Sequence, residues 1–227
     1  MNLEPVWEEC RRQGIERDGS QKSALSAFLD ALYRENAHTN LTRVSPEEAP
    51  VRHIVDSLLV LPYLPQRGRV LDVGSGPGLP GWVIAWANPG LIVEALDATV
   101  KMQRFIATQP LPNLRQRIQR AEEDVEYEMF DAATGRAFAP FGIQAEVTAP
   151  WLRVGGRFIP FRTQAERQEI ETANAGMLGL KLMDIHEVPL PMDMGIRLFP
   201  VFEKTRSTPP EFPRTWARIK AKPLFSR

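Results

Sequence analysis

The residues able to do chemistry gather first in Val70-Leu71-Asp72-Val73-Gly74-Ser75-Gly76-Pro77-Gly78-Leu79-Pro80-Gly81, an apolar run that meets an acid and then breaks into glycines. Glycines after a β-rich run let the backbone take positive φ and let a ligand approach with no Cβ in the way, as open α/β sheets require at the carboxyl ends of their strands. Gly76-x-Gly78-x-x-Gly81 also satisfies the dinucleotide fingerprint. A pyrophosphate, however, needs backbone N–H donors at the positive end of a helix, whereas Pro77 and Pro80 have no N–H and Asp72 adds negative charge. S-adenosylmethionine has no phosphate and carries an ammonium and a sulfonium, so it suits this turn better than NAD. Asp72, Gly74, Gly76 and Gly78 are therefore expected at the cofactor. About 20 residues beyond the glycines, Leu91-Ile92-Val93-Glu94-Ala95-Leu96 ends in Asp97, placed either to accept from a ribose hydroxyl pair or to cap a helix beginning near Val100.

A second group of polar residues lies upstream. In a helix expected over 46–61, Val51, Ile54, Val55, Leu58 and Leu61 form the buried stripe, and Arg52, His53, Asp56 and Ser57 share the other side within about 140°. They form either one polar patch or a solvated face with an Arg52–Asp56 pair. The three histidines and single cysteine are scattered, so no metal site is expected.

The elements that must position these groups alternate. Two short amphipathic helices, one through Leu3, Val6, Trp7 and Cys10 and one capped by Ser20 with Leu25, Phe28, Leu29 and Leu32 on a face, precede the glycine turn as an N-terminal cap. After the second strand a helix should run to about Gln109. Strands are then expected over 115–120 and 129–135, followed by one entered through a Gly155-Gly156 turn. A helix over 164–178 and late strands over 180–188 and 196–203 complete the pattern. Such alternation predicts an α/β fold with a doubly wound, Rossmann-like and mostly parallel sheet of about seven strands. The expected organisation is a helical cap over 1–66, a cofactor-binding core over 67–205 and an arm over 206–227.

With 43% apolar residues, 227 residues can bury one substantial core plus an appendage. Cys10 alone permits no internal disulfide, and no leader or apolar run of about 18 residues appears, so a cytoplasmic protein without a membrane span is expected. From Lys204 onward seven bases face the single acid Glu211, a net of +6, and the rest of the chain carries −6. The arm is therefore either a polyanion contact or a solvated terminus. Its prolines, in Pro209-Pro210-Glu211-Phe212-Pro213-Arg214 and at Pro223, predict an extended segment without helix.

Taken together, Asn40-Leu41-Thr42, Arg52-His53 with Asp56-Ser57-Leu58, the glycine turn, Leu96-Asp97, Lys101, Arg120-Ala121-Glu122, Arg136-Ala137-Phe138 and Phe212-Pro213-Arg214 resemble the bacterial 16S ribosomal RNA guanine-N7 methyltransferase family, also called glucose-inhibited division protein B. The resemblance runs from about Asn40 to Leu224. It implies a methyltransferase sheet, S-adenosylmethionine as methyl donor and 16S RNA of the small subunit as acceptor; the protein is expected to act as a monomer. It assigns cofactor contacts to Gly74, Leu79, Ala121, Glu122 and Arg136. Two departures stand out: Gly135 occupies the position of the family's Ser, and Phe161-Arg162 that of its Lys-Gly. Guanine N7 carries a lone pair and no proton, so positioning, with Arg136 foremost, replaces a general base. Arg52, His53, Asp56, Ser57, Arg214, Lys220 and Lys222 are candidate RNA contacts, and Phe138 is either a stacking surface for an exposed base or core. The alternatives to this activity are a nicotinamide oxidoreductase and a non-catalytic RNA-binding ribosome assembly factor.

Overall fold

The computed structural model describes residues 1–225; Ser226 and Arg227, the latter counted among the basic residues of the arm, lie outside the described residues. Its helices are α1 (Glu4–Arg12), α2 (Gly19–Thr39), α3 (Asp56–Leu58), α4 (Gly81–Ala87), α5 (Val100–Ala107), α6 (Phe141–Thr148), α7 (Arg167–Thr172) and α8 (Trp216–Ala221). The strands are β1 (Gly68–Val73), β2 (Leu91–Leu96), β3 (Leu114–Arg117), β4 (Phe130–Gly135), β5 (Leu152–Pro160), β6 (Leu180–Pro189) and β7 (Ile196–Lys204), joined in the order β3-β2-β1-β4-β5-β7-β6. The first five are parallel and β7 runs antiparallel to both β5 and β6. The order reverses between β1 and β4, and the crevice beyond their carboxyl ends is where such a sheet binds ligands.

Successive strand residues point to opposite faces, so the sheet separates two cores. Val70, Val93, Ala132 and Ile159 face the layer built by α1, α2, α4 and α5, where Phe28 stacks on Trp82 with ring centroids 4.2 Å apart. Leu71, Val73, Ala133 and Phe158 face the layer of α6, Trp151 and the C-terminal segment. In α2, Leu25, Phe28, Leu29 and Leu32 form the expected buried stripe, but the cap is Asp18, whose carboxylate accepts from the Gln21 backbone while the Gln21 side chain accepts from the Asp18 N–H.

Several expected elements differ. The helix expected over 46–61 is a π-helical turn (Pro50–Val55), then α3, then a 3-10 turn (Leu61–Tyr63). The wider π turn rotates the side chains relative to 100° spacing. Gly155-Gly156 lies inside β5, at an irregularity in its register with β4, so no turn separates it from Leu152. The helix expected over 164–178 breaks into two 3-10 turns around α7. The arm is not extended throughout: no proline falls between Pro213 and Pro223, and that interval holds α8. Nor is the arm a solvated terminus, because Phe212 and Ile219 are buried in the second core.

Candidate active site

A cavity of about 900 Å³ opens at the carboxyl ends of β1, β2, β3 and β4, with Leu79, Leu96, Met102, Phe161 and Leu190 among its apolar lining. The glycine turn forms its floor. Gly74, Gly76 and Gly78 have φ of 72°, 52° and 95°, conformations that L side chains rarely adopt. A Cβ on Gly74 would overlap the Phe138 ring, whereas one on Gly76 would enter open space.

The backbone donors of this turn are already in use. The Gly74 and Ser75 N–H groups donate to Leu96 O, Gly76 N–H to Asp97 Oδ2, Gly78 and Leu79 N–H to Ser75 O, and Gly81 N–H to Asp72 Oδ2. Pro77 and Pro80 have none to offer. A pyrophosphate would find no free N–H here, which removes the physical basis of the dinucleotide reading.

The acid walls of the cavity fit a cationic ligand bearing hydroxyl and amino donors. Asp97 accepts from Gly76 N–H and from Thr99 N–H at 2.7 Å, so it braces the turn and the residue leading into α5, but it does not cap the helix, whose N-cap Thr99 has no side-chain cap bond. Each carboxylate oxygen keeps a second lone pair for a hydroxyl. Glu122 has a nearly buried side chain whose Oε1 has no hydrogen-bond partner, with Arg120 Nη1 standing 3.9 Å away as an ion-pair neighbour, and burial raises its pKa. An orphaned acceptor in a cavity wall is a place for a donor from a ligand. Ala121 beside it is buried, its carbonyl accepting from Trp151 Nε1 at 2.9 Å.

The opposite wall is cationic. Asp56, 1% exposed, accepts from Arg136 Nη1 at 2.9 Å and from Arg197 Nε and Nη2 at 2.8 and 2.7 Å. Arg136 Nη1 also donates to Arg52 O, and both guanidiniums lie 5.8 Å from the Phe161 ring centroid. This triad carries one net positive charge and holds two arginines in fixed directions. The Arg52 side chain instead pairs with Glu48, so the expected Arg52–Asp56 pair is absent. His53 is 5% exposed, its Nε2 2.9 Å from Thr42 Oγ1, and burial followed by the Arg136 charge pushes its pKa down to about 3. It is neutral at physiological pH, and its Nδ1 is buried without a partner.

The cavity therefore brings together Gly74, Gly76, Leu79, Asp97, Ala121, Glu122, Arg136, Phe138, Arg52, His53 and Asp56. Other expected residues lie elsewhere. Asp72 is fully buried beneath the turn, and burial pushes its pKa up to about 7 despite the Gly81 bond, so it is a brace for the entry to α4 and not a cofactor contact. Gly78 packs towards Trp82 and Ile106. Ser57 is buried and its hydroxyl donates to His53 O. Arg214 is committed to Glu146, a fully buried acid on α6, through its backbone N–H, Nε and Nη2. Lys220 and Lys222 are exposed and away from the cavity.

Sequence reasoning missed Arg197 and Trp216, and named Arg162 only as a departure. Arg162 is 4% exposed; its Nη1 donates to Ala139 O and Glu166 Oε1, its Nη2 to Gln144 Oε1. It thereby ties down the 136–140 loop. A Cβ at position 135 would overlap both Gln144 Nε2 and the backbone oxygen of Val73, so the β1 backbone itself keeps this position glycine in the present packing.

Comparisons with known proteins bear on this geometry. Residues 21–189 match the family model GidB, rRNA small subunit methyltransferase G. The chain is 34% identical over 225 residues to the ribosomal RNA small subunit methyltransferase G of Desulfitobacterium hafniense, covering 94% of each chain. It is 30% identical over 239 residues to the protein of that name from Lactobacillus johnsonii, covering 99% of this chain and all of the relative. Among solved structures, the 1,6-didemethyltoxoflavin-N1-methyltransferase of Burkholderia thailandensis superposes with a TM-score of 0.56 at 20% identity, over 84% of this chain and 92% of that one. A TehB-like SAM-dependent methyltransferase of Corynebacterium glutamicum does so with a TM-score of 0.52 at 19% identity, over 66% and 87%. These two likenesses are of fold.

Proposed function

This chain belongs to the GidB family of rRNA small subunit methyltransferases, and from that premise we propose that its cavity transfers a methyl group to N7 of a guanine in 16S ribosomal RNA. It is an S-adenosylmethionine-dependent methyltransferase of small-subunit rRNA. The finer reading rests on one observation: a cavity with an acidic wall, Asp97 and Glu122, facing a cationic wall, Arg136 and Arg197 on Asp56, across a turn whose N–H groups are consumed. The cofactor, when bound, supplies an electrophilic methyl group.

This chain's residues do the rest by placement. Gly74, Gly76 and Leu79 leave room along the turn, Asp97 accepts from ribose hydroxyls, and Glu122 and the backbone at Ala121 serve the base end. Arg136 and Arg197 hold RNA phosphate or the guanine edge through N–H groups that Asp56 does not use, since a guanidinium matches both. Phe138, half-buried on the turn, offers a ring to the extruded base. His53, kept neutral, positions the 42–53 wall and takes no proton. No general base is required because N7 carries no proton to lose. Lys220 and Lys222, exposed on the arm, follow the RNA backbone outside the cavity in the cytoplasm, where the small subunit is assembled.

Calorimetry with S-adenosylhomocysteine and NAD, followed by transfer of labelled methyl groups to small-subunit RNA, tests this. We expect binding of the first ligand alone, and label at sites cleaved by aniline after borohydride reduction, the signature of N7-methylguanine. Label that resists this cleavage rules out N7. No transfer with intact cofactor binding favours the assembly-factor alternative.

A further inference from the structure

Of the tryptophans, Trp82, Trp86 and Trp151 are buried and each donates its indole N–H to a backbone carbonyl at 2.9 Å. Trp7 and Trp216 are half-buried and neither indole has an acceptor among the described residues, but Trp7 packs tilted against Trp86 whereas Trp216 lines the cavity. Its ring lies 5.7 Å from the Arg120 guanidinium, on the segment that carries Ala121 and Glu122. An amphipathic ring left half-wet with an unused donor is suited to a planar partner bearing acceptors.

The position is built. Glu146 takes three hydrogen bonds from Arg214, two residues before Trp216, and a buried acid so engaged is costly to release. Phe212 and Ile219 are buried on either side of the ring in sequence. Further along, the Leu224 backbone lies so close to α6 that a Cβ on Gly142 would overlap it. The arm is thus clamped across α6 and delivers one aromatic side chain to the rim between the β3 end and the 136–140 loop.

We infer that Trp216, held by the Arg214–Glu146 latch and paired with Arg120, forms the wall of the cavity against which the adenine of the cofactor stacks. This rests on the cofactor reading above. It makes the C-terminal segment a part of the cofactor site, and not solely an RNA contact. The side of the cavity decides for the cofactor's base over an RNA base: Trp216 stands by Arg120, itself 3.9 Å from the Glu122 oxygen that accepts no hydrogen bond, whereas the guanidiniums suited to RNA gather around Asp56.

The test compares wild type, Trp216→Ala and Trp216→Phe for S-adenosylhomocysteine and for 5′-methylthioadenosine, which keeps the adenosine and lacks the amino-acid end. Loss of base–aromatic stacking should weaken both ligands by about 10-fold in Trp216→Ala, with Trp216→Phe recovering most of it. Wild-type tryptophan fluorescence should change on adding methylthioadenosine, and the change should vanish in Trp216→Phe. RNA affinity without cofactor should be the same in all three. Equal affinities in wild type and Trp216→Ala overturn the assignment, as does a loss confined to the homocysteine-bearing ligand. Should Trp216→Ala fail to fold, a fluorescence response surviving in Trp216→Phe overturns it equally. Failure of wild type to bind S-adenosylhomocysteine would instead overturn the cofactor reading itself.

Discussion

Replacing Asp72 by Asn should remove a pH dependence of stability that the fold imposes. Asp72 sits wholly buried under the glycine turn, Oδ2 accepting from Gly81 N–H at 2.7 Å and Oδ1 without a partner. Burial raises its pKa from 3.8 to about 7. Between these values the folded chain holds a proton that the unfolded chain has lost, so stability is full below about pH 4 and declines as pH rises through about 7. At about 1.4 kcal/mol per tenfold change in proton affinity the whole effect is roughly 4 kcal/mol, of which about 3 kcal/mol falls between pH 5 and 8. Asn cannot ionise; its carbonyl keeps the Gly81 bond and its amino group takes the site of the orphan oxygen. Urea unfolding of both proteins at pH 5 and pH 8 isolates this group, because all other titrations cancel in the difference. The variant should be more stable than wild type by about 1.5 kcal/mol at pH 5 and by about 4 kcal/mol at pH 8, a change of about 3 kcal/mol between the two, with unchanged m-values. Parallel pH dependences would refute the claim that burial raises the Asp72 pKa towards neutrality.

Gly74→Ala and Gly76→Ala should separate fold from ligand space: the first meets the Phe138 ring at φ 72° and should lose roughly 2–5 kcal/mol of stability, while the second, in open space at φ 52°, should lose only about 1 kcal/mol, both read from thermal and urea unfolding. Because His53 has its pKa pushed down to about 3, methyl transfer measured from pH 5 to 9 should show no step near 6.5 that disappears in His53→Gln; such a step would mean that the imidazole titrates in the working enzyme.

Local chemistry was legible in the chain because it is written in consecutive residues. Glycines that must take positive φ, strands ending in acids and the period-two alternation that feeds two cores are all short-range patterns. They sufficed for the doubly wound sheet, the turn and Asp97, while Ala121, Glu122 and Arg136 followed only from the resemblance to a family; all four residues line one cavity. What the tertiary structure alone decided is which charges meet. Asp56 finds Arg197 across 141 residues of sequence, so a helix face that reads as solvated becomes the anchor of a cationic wall. Asp72 reads as a cofactor acid from its place at a strand end, yet strand alternation turns its side chain under the turn and into the protein. The C-terminal segment reads as extended and basic, but Glu146, itself concealed on an apolar helix, captures Arg214 across 68 residues and brings Trp216 to the cavity. A charge in sequence carries no record of its partner. Burial removes water as the alternative, and the chain then closes only where every buried charge has met an opposite one or surrendered its proton.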